Sequence, residues 1–381
     1  MAITPRQLDI KGAYIQDAYA ALESEIMQML IKTLKAKTSV ELDGDTVFQW
    51  QLEKLNQLGM LNMDKVAELA EQAATVSKKQ LEEMILKDGY QIGTTANQEF
   101  ANLMNVDVKP WTNLDQILNG YLDSQWLDLD NHVNQTLVST NYNNTLAKAY
   151  QQTLNDTVAK VVTGFQTPDK AFRSSVYAMV DKGLETDFID KGGNPWSVER
   201  YVRTVIKSTT QRVFNDLRLE RSKEYGIVTA LVSTHAAARE QCSHIQGGWV
   251  LMVRTEDAPA ELQYIKSIYD YGYGTPNGTR GINCSHRFYP AVPGINTNNM
   301  PEPLPPKEAQ ANAEIVAKQR RMEVAVRKAK QSLKAAETLG NKSDIEHFNQ
   351  LIRKRQGALR KLISSNEGLL HRDYSREFVH E

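Results

Sequence analysis

The residues of this sequence best suited to metal binding or catalysis lie in two copies of the tripeptide Cys-Ser-His. They contain both cysteines of the chain, and a further histidine lies just upstream of the first copy. Thiolate and imidazole groups are ligands that suit Zn²⁺, and four of them in a tetrahedron make a closed structural site. The sequence therefore predicts a structural zinc site. Its candidate ligands are His235, Cys242, His244, Cys284 and His286.

The spacing of these residues leaves other interpretations open. It differs from the C-x₂-C pattern of zinc fingers, so the site can equally be a pair of buried free thiols beside hydrogen-bonded histidines, or a metal-free turn scaffold. A catalytic Cys–His pair needs a group that orients the imidazole, and neither histidine has an evident carboxylate nearby in sequence. The region faintly resembles HNH-type nucleases, but it lacks the Asp-His or His-His pair that would activate water and the C-x₂-C pairs that brace that fold. A metal-dependent, HNH-like nuclease acting on DNA is therefore the alternative function.

The two tripeptides lie in a glycine-rich segment that differs from the rest of the chain. Residues 227–234 are rich in β-branched side chains, which predicts a strand at its start. We predict a small irregular module over residues 228–300, and a module with few apolar residues gains stability from a metal. Four prolines then predict a stiff linker over residues 301–306.

Helices are predicted on the N-terminal side of this module. Thr4 followed by Pro5 is typical of a helix start, and apolar residues then recur at spacings of three and four. Ser197 is the predicted cap of a long helix that ends at Gly226. The predicted units are an N-terminal helical region, residues 1–165, and a helical block, residues 166–227. Further helices are expected near residues 45–58, 63–85, 112–140 and 143–163.

Residues 307–381 predict an antiparallel helical hairpin and tail. Apolar residues repeat at spacings of four and three up to Gly340, which is suited to a left-handed helix end. Ser343 and Glu346 have the spacing of a capping box for the second helix. The predicted fold class is mainly α: an elongated helical bundle with a small irregular α+β Cys/His module and a C-terminal basic helical hairpin.

The hairpin carries a strong positive charge, although the net charge of the whole chain is close to zero. The chain carries 45 basic and 46 acidic residues, yet residues 318–361 carry 13 Lys and Arg against 4 Asp and Glu. Such a surface attracts double-stranded DNA by non-specific electrostatics, because phosphate contacts depend on charge and not on sequence. An ordinary solvated helix face is the alternative. The candidate DNA-binding residues are Lys318, Arg320, Arg321, Arg327, Lys328, Lys330, Lys334, Arg353, Lys354, Arg355, Arg360 and Lys361.

Composition narrows the class of protein. At 381 residues the chain is long enough for two or three domains. Two cysteines are too few for a disulfide-stapled secreted framework. No stretch approaches the ~18 apolar residues of a membrane span, and no signal peptide is evident at the N-terminus. We therefore expect a protein made in a reducing cytoplasm, with no membrane partner.

From about residue 165 to the end, the sequence resembles the minor capsid (head morphogenesis) proteins of tailed bacteriophages. The similarity is to the minor capsid protein 2 group, which is related to MuF-like head proteins. That group has an ordered pattern of His, Ala-Arg, His, Gln-Gly and Gly-x-Asn-Cys-x-His, with Pro-Gly close behind. Cys242 stands where the group more often has its second His, an exchange that keeps a metal ligand. The matching residues are His235, Ala238, Arg239, Gln246, Gly247, Gly281, Asn283, Cys284, His286, Pro293 and Gly294.

The resemblance implies a structural, non-enzymatic virion component. It would be made in the cytoplasm of a bacterial host and lie inside the phage head near the portal. Its implied partners are the portal protein, capsid proteins and packaged DNA, the last agreeing with the charge of the hairpin. Besides the nuclease, a plain nucleic-acid-binding protein of the infected cell is a further alternative.

Overall fold

The computed structural model describes residues 3–59, 61–138, 144–282 and 284–379. Helices make up 66% of the structure and strands are few and short, which confirms the prediction of a mainly α fold. The part of the chain that the structure describes contains no helix long and apolar enough to cross a membrane.

The N-terminal body is a bundle of helices around the first and longest of them. Thr4 caps that helix as predicted: it accepts the N–H of Gln7, whose side chain bonds back to the Thr4 N–H. The helices are α1 (Pro5–Lys35), α2 (Val47–Leu58), α3 (Met63–Glu82), α4 (Gly89–Met104), α5 (Leu114–Leu129), α6 (Gln135–Val138) and α7 (Thr145–Val162). Two π-helical turns, Glu83–Asp88 and Asp130–Asn134, continue α3 into α4 and α5 into α6.

The helical block shares one hydrophobic core with this body. It contains α8 (Pro168–Lys182), a small hairpin of β1 (Glu185–Ile189) and β2 (Pro195–Ser197), and α9 (Val198–Glu224). Ser197 caps α9 by accepting the Arg200 N–H, as predicted. The core joins Leu8 and Ile15 of α1 to Ile206 and Leu217 of α9. The β1–β2 hairpin was not predicted from the sequence.

The Cys/His module is built on a three-stranded antiparallel sheet. Its central strand β3 (Thr229–Val232) pairs with β4 (Trp249–Leu251) and with β5 (Phe288–Pro290). A short helix, α10 (Glu240–Ser243), lies between β3 and β4. The module has a small core of its own, formed by apolar side chains from the strands and from the end of α9.

The C-terminal hairpin consists of α11 (Pro306–Leu339) and α12 (Lys342–Ser364). Gly340 ends α11 in the left-handed conformation, as predicted, with φ of 80°. The predicted capping box at Ser343 is wrong: Asn341 caps α12, because its side chain accepts the Asp344 N–H, and Ser343 lies inside the helix. After α12 the chain returns along α11. In this tail, Arg372 and Glu377 form a salt bridge with two hydrogen bonds.

Candidate functional site

The candidate ligands come together at one end of the module sheet. His235 follows β3, Cys242 lies in α10 before β4, and Cys284 and His286 precede β5. Because both outer strands run antiparallel to β3, the segments that enter them meet at the carboxyl end of β3. Strand pairing therefore joins two cysteines that lie 42 residues apart in sequence.

Cys242, Cys284 and His286 form one buried cluster. The two sulfur atoms lie 3.8 Å apart, and Cys284 Sγ lies 3.6 Å from His286 Nδ1. All three ligand atoms are within 4.8 Å of one another. The cluster has the residue types and the proximity to hold a metal ion.

These distances fit tetrahedral zinc coordination. Zn–S bonds of about 2.3 Å and Zn–N bonds of about 2.05 Å, at tetrahedral angles, separate two sulfurs by about 3.8 Å and a sulfur from a nitrogen by about 3.6 Å. The distance between the two sulfurs and the distance from Cys284 Sγ to His286 Nδ1 have these values. The arrangement offers three ligands and leaves the fourth position of the tetrahedron to another group.

Gln246 determines which nitrogen of His286 faces the sulfurs. Its Oε1 accepts the backbone N–H of His235 at 2.9 Å and lies 3.2 Å from His286 Nε2. A backbone N–H only donates, so this atom is the amide oxygen, and Nε2 of His286 must carry the proton. The lone pair of His286 is then on Nδ1, beside Cys284. A proton held on the second ring nitrogen by a carbonyl oxygen is the usual support of a metal-binding histidine.

The two cysteines differ in acidity. A hydrogen bond between the sulfurs lowers the pKa of Cys284, and the adjacent His286 lowers it further. The same hydrogen bond, with burial, raises the pKa of Cys242. Cys284 is therefore the sulfur that carries negative charge more readily in the protein.

The other two predicted ligands lie outside this cluster. His235 packs edge-on against the His286 ring, with centroids 4.5 Å apart, and its Nε2 is 3.3 Å from Ser233 Oγ. Burial is the main cause that lowers the pKa of His235. His244 is exposed, and its ring stacks on Tyr271 at 6.1 Å. His244 is therefore not one of the residues whose ligand atoms lie within 4.8 Å of one another.

Two residues of the family pattern support the loop that carries Cys284. Arg239 donates to the carbonyls of Pro276, at 3.2 Å, and Ile282, at 2.6 Å. Gly281 lies so close to this loop that a Cβ would be 2.3 Å from the Thr275 carbonyl oxygen. Asn283, also part of the pattern, lies outside the described residues.

The hairpin covers the cluster from one side. Ala309 of α11 packs with Cys242 and Cys284 in a small apolar group. Gln310 donates to Ser243 at 3.2 Å, and Asn312 donates to the Ala236 carbonyl at 3.0 Å. The Cys/His module and the first helix of the basic hairpin are therefore in direct contact.

The twelve candidate DNA-binding residues of the hairpin differ in exposure and in partners. Five are engaged within the protein: Arg320 with Glu323, Arg327 with Glu199, Lys328 with Asp181, Lys334 with Ser24 and Arg355 with the Ala325 carbonyl. Lys330 is half-buried. Six are exposed and have no acidic partner among the described residues: Lys318, Arg321, Arg353, Lys354, Arg360 and Lys361. Positive charge available to a ligand is therefore concentrated on α12.

The chain thus combines a helical body, a module with a cluster of metal-ligand residues and a basic hairpin. Residues 3–364 match the family described as Phage minor capsid protein 2, and the chain belongs to this family. It is similar to a structural protein of Lactococcus phage LL-H, at 39% identity over 95% of this chain and 97% of that protein. It is also similar to a structural protein of Lactococcus phage mv4, at 47% identity over 30% of this chain and 90% of that one. No solved structure matches the chain.

The family match extends the resemblance predicted from residue 165 onward to nearly the whole chain. The N-terminal helices therefore belong to the same family as the Cys/His module. The chain is a phage minor capsid protein, and a structural role in the virion follows from that class.

Proposed function

We propose that this protein lies inside the phage head near the portal, where it contacts the portal and capsid proteins and the packaged DNA. Membership of the minor capsid family supports the structural part of this proposal. The exposed cations of α12 support the DNA contact, and they are the single observation that carries it. The protein acts in head assembly as a component and not as an enzyme.

The outer face of α12 is suited to a duplex because its charges are unopposed. Arg353, Lys354, Arg360 and Lys361 are exposed on this helix, and its one exposed acidic residue is Glu346. The other three cations follow Arg353 by one, seven and eight residues, and these spacings place all four on the same side of the helix. They would contact phosphates without reading bases, as a protein that accompanies any packaged genome requires.

A variant that neutralises this face tests the DNA contact. The variant combines Arg353→Gln, Lys354→Gln, Arg360→Gln and Lys361→Gln, and we expect it to bind duplex DNA more weakly. The slope of the logarithm of the binding constant against the logarithm of salt concentration should become less steep by about three to four. The matched control replaces four exposed lysines of the body, Lys37, Lys79, Lys170 and Lys191, by Gln. Equal salt slopes for the two variants would show that the hairpin does not face DNA.

The proposed location is tested on purified particles. Quantitative mass spectrometry, with the portal protein as internal standard, should give at most one copy of this chain per portal subunit. Cross-linking of intact particles should then join it to the portal protein. Abundant protein in infected cells that is missing from particles would overturn the structural role and favour the plain nucleic-acid-binding alternative.

We propose further that Cys242, Cys284 and His286 hold one Zn²⁺ that stabilises the module. Two observations support this proposal. The sulfur–sulfur and sulfur–nitrogen distances fit a tetrahedral zinc site, and Gln246 holds the proton of His286 on Nε2, which leaves Nδ1 free to bind the metal. The purified protein should contain about one zinc per chain, and chelation should lower its melting temperature, since metal binding contributes to folding. Zinc-free protein that melts at the same temperature before and after chelation would overturn the proposal.

The ligand types of the cluster argue against a Mg²⁺-dependent nuclease. Thiolate and imidazole ligands select zinc, whereas Mg²⁺ sites that act on phosphodiesters use carboxylate oxygens. We expect no plasmid cleavage with Mg²⁺, Mn²⁺ or Zn²⁺. Metal-dependent cleavage that His286→Ala abolishes would establish the nuclease alternative instead.

A further inference from the structure

A cavity of about 290 Å³ adjoins the Cys/His cluster. It lies between one face of α9 and the loop that precedes β5, and Cys284 and His286 form part of its wall. Cys242 is not part of that wall. A metal held by the three residues would therefore have two of its ligands in the cavity wall, so a fourth ligand could reach it from the cavity.

The α9 side of the cavity is polar and carries excess positive charge. Two rows of α9 residues at four-residue spacing line it, and their charged members are Lys207, Arg212 and Asp216. Arg280 of the loop pairs with Asp216, so these two charges neutralise each other. Lys207 and Arg212 form no ion pair within the described part of the chain. Apart from Cys284 and His286, the charged side chains of the wall are Lys207, Arg212 and Arg280 against Asp216, a net charge of plus two.

Lys207 is half-buried, and its surroundings disfavour its charge. Burial lowers the pKa of Lys207, and Arg376 and Arg320 lower it further, against the opposing effects of Asp9 and Cys284. An ammonium group removed from water without a counter-ion costs free energy. An anion bound in the cavity would offset that cost, so the unpaired lysine indicates a ligand of opposite charge.

We propose that this cavity binds a phosphate group that carries two negative charges, with its oxygens on Lys207 and Arg212 and in the fourth coordination position of the metal. The inference rests on the zinc site proposed above. Two unpaired cations beside a neutral Zn(Cys)₂His centre match a dianion better than a carboxylate, which carries one charge. Inorganic phosphate and the terminal 5′-phosphate of a DNA end share this chemistry, whereas an internal phosphodiester carries a single charge.

Cobalt substitution of the full-length protein separates the two proposals. Thiolate–Co²⁺ absorption reports metal uptake, and broadening of the ³¹P resonance of inorganic phosphate by the paramagnetic ion reports an anion at the metal. We expect broadening in the wild-type protein and about tenfold weaker phosphate binding in Lys207→Met and in Arg212→Gln. Lys170→Met, an exposed lysine of α8, is the matched control and should bind as the wild type does.

Each result has a defined consequence. Protein with Co²⁺ absorption but no phosphate broadening overturns the phosphate site and leaves the metal site intact, as expected if His235 supplies the fourth ligand. Protein without Co²⁺ absorption overturns both. Phosphate binding that Lys207→Met and Arg212→Gln leave unchanged overturns the assignment of the cavity.

Competition identifies the source of the phosphate. A duplex with 5′-phosphates that displaces inorganic phosphate, while the same duplex with 5′-hydroxyls does not, identifies the DNA end as the ligand. Binding of inorganic phosphate that neither duplex displaces supports the site with free phosphate as its ligand. Displacement by both duplexes alike overturns the preference for a dianion.

Discussion

The side-chain oxygen of Gln246 lies 3.2 Å from Nε2 of His286, and this contact fixes the proton of the imidazole on the side away from Cys284. The same oxygen accepts the His235 N–H, so the amide cannot turn around without losing a backbone partner. Gln246 thereby positions a candidate metal ligand without contacting the metal itself.

Replacement of Gln246 should weaken metal binding. In Gln246→Leu the Nε2–H of His286 has no acceptor, and we expect zinc affinity to fall by about 10- to 100-fold in chelator competition. Gln246→Glu keeps an acceptor oxygen and should recover most of the affinity. Gln72→Leu, at an exposed position of α3, controls for the substitution itself. A leucine variant with wild-type affinity would show that the contact does not support the site.

Glu23 should make stability depend on pH. Burial raises the pKa of Glu23 to about 7, although its carboxylate accepts the N–H groups of Leu184 and Glu199 and lies near Arg327. Because this pKa is above the ordinary value of 4.5, the unfolded chain loses the proton first. This contribution to the free energy of unfolding is therefore complete below about pH 4.5 and falls by about 3 kcal/mol as pH rises through 7.

Glu23→Gln tests this dependence by urea unfolding at pH 5 and pH 8. The variant should lose less stability than the wild type between the two pH values, because its amide does not ionise. Glu25→Gln, an exposed position on the same helix, should keep the wild-type dependence. The same pH dependence in wild type and Glu23→Gln would contradict the prediction.

Arg327 should contribute to stability and not to DNA binding. Its side chain is 14% exposed, and it lies 2.8 Å from Glu199 and donates to the Arg376 carbonyl at 2.8 Å. We expect Arg327→Ala to lower the free energy of unfolding by about 2 kcal/mol, since it removes one partner of a partly buried ion pair. The salt dependence of DNA binding should not change, in contrast to Arg353→Ala. The reverse outcome would show that the inner cations reach DNA.

Gly281 should be essential to the Cys284 loop. A Cβ there would meet two backbone carbonyls at 2.3 and 2.4 Å, and backbone cannot move aside as a flexible side chain can. Gly281→Ala should therefore lower both thermal stability and zinc content. Gly120→Ala is the opposite case: Gly120 is exposed in α5 with nothing near its Cβ position, and alanine should raise stability by up to about 1 kcal/mol. Similar effects of the two changes would contradict the packing argument.

Local sequence patterns predicted the helices well. The Thr4 and Ser197 caps and the Gly340 helix end depend on residues within a few positions of each other, and the structure confirms all three. The Asn341 cap was missed because Ser343 has an equally suitable side chain two residues later. The predicted division of the chain at residue 165 stays a prediction, although one core joins α1 to α9 across it.

The sequence by itself determined the residue types of the site, the charge of the hairpin and the mainly helical class, because composition and periodicity are local properties. Tertiary structure decided the rest. Pairing of β3 with both of its neighbours selected Cys242, Cys284 and His286 from five candidate ligands and brought Gln246 to the imidazole. Packing of α11 against the body drew several of its cations into ion pairs, whereas Arg353, Lys354, Arg360 and Lys361 of α12 remain in solvent. Both outcomes depend on contacts between residues distant in sequence, which no local pattern records.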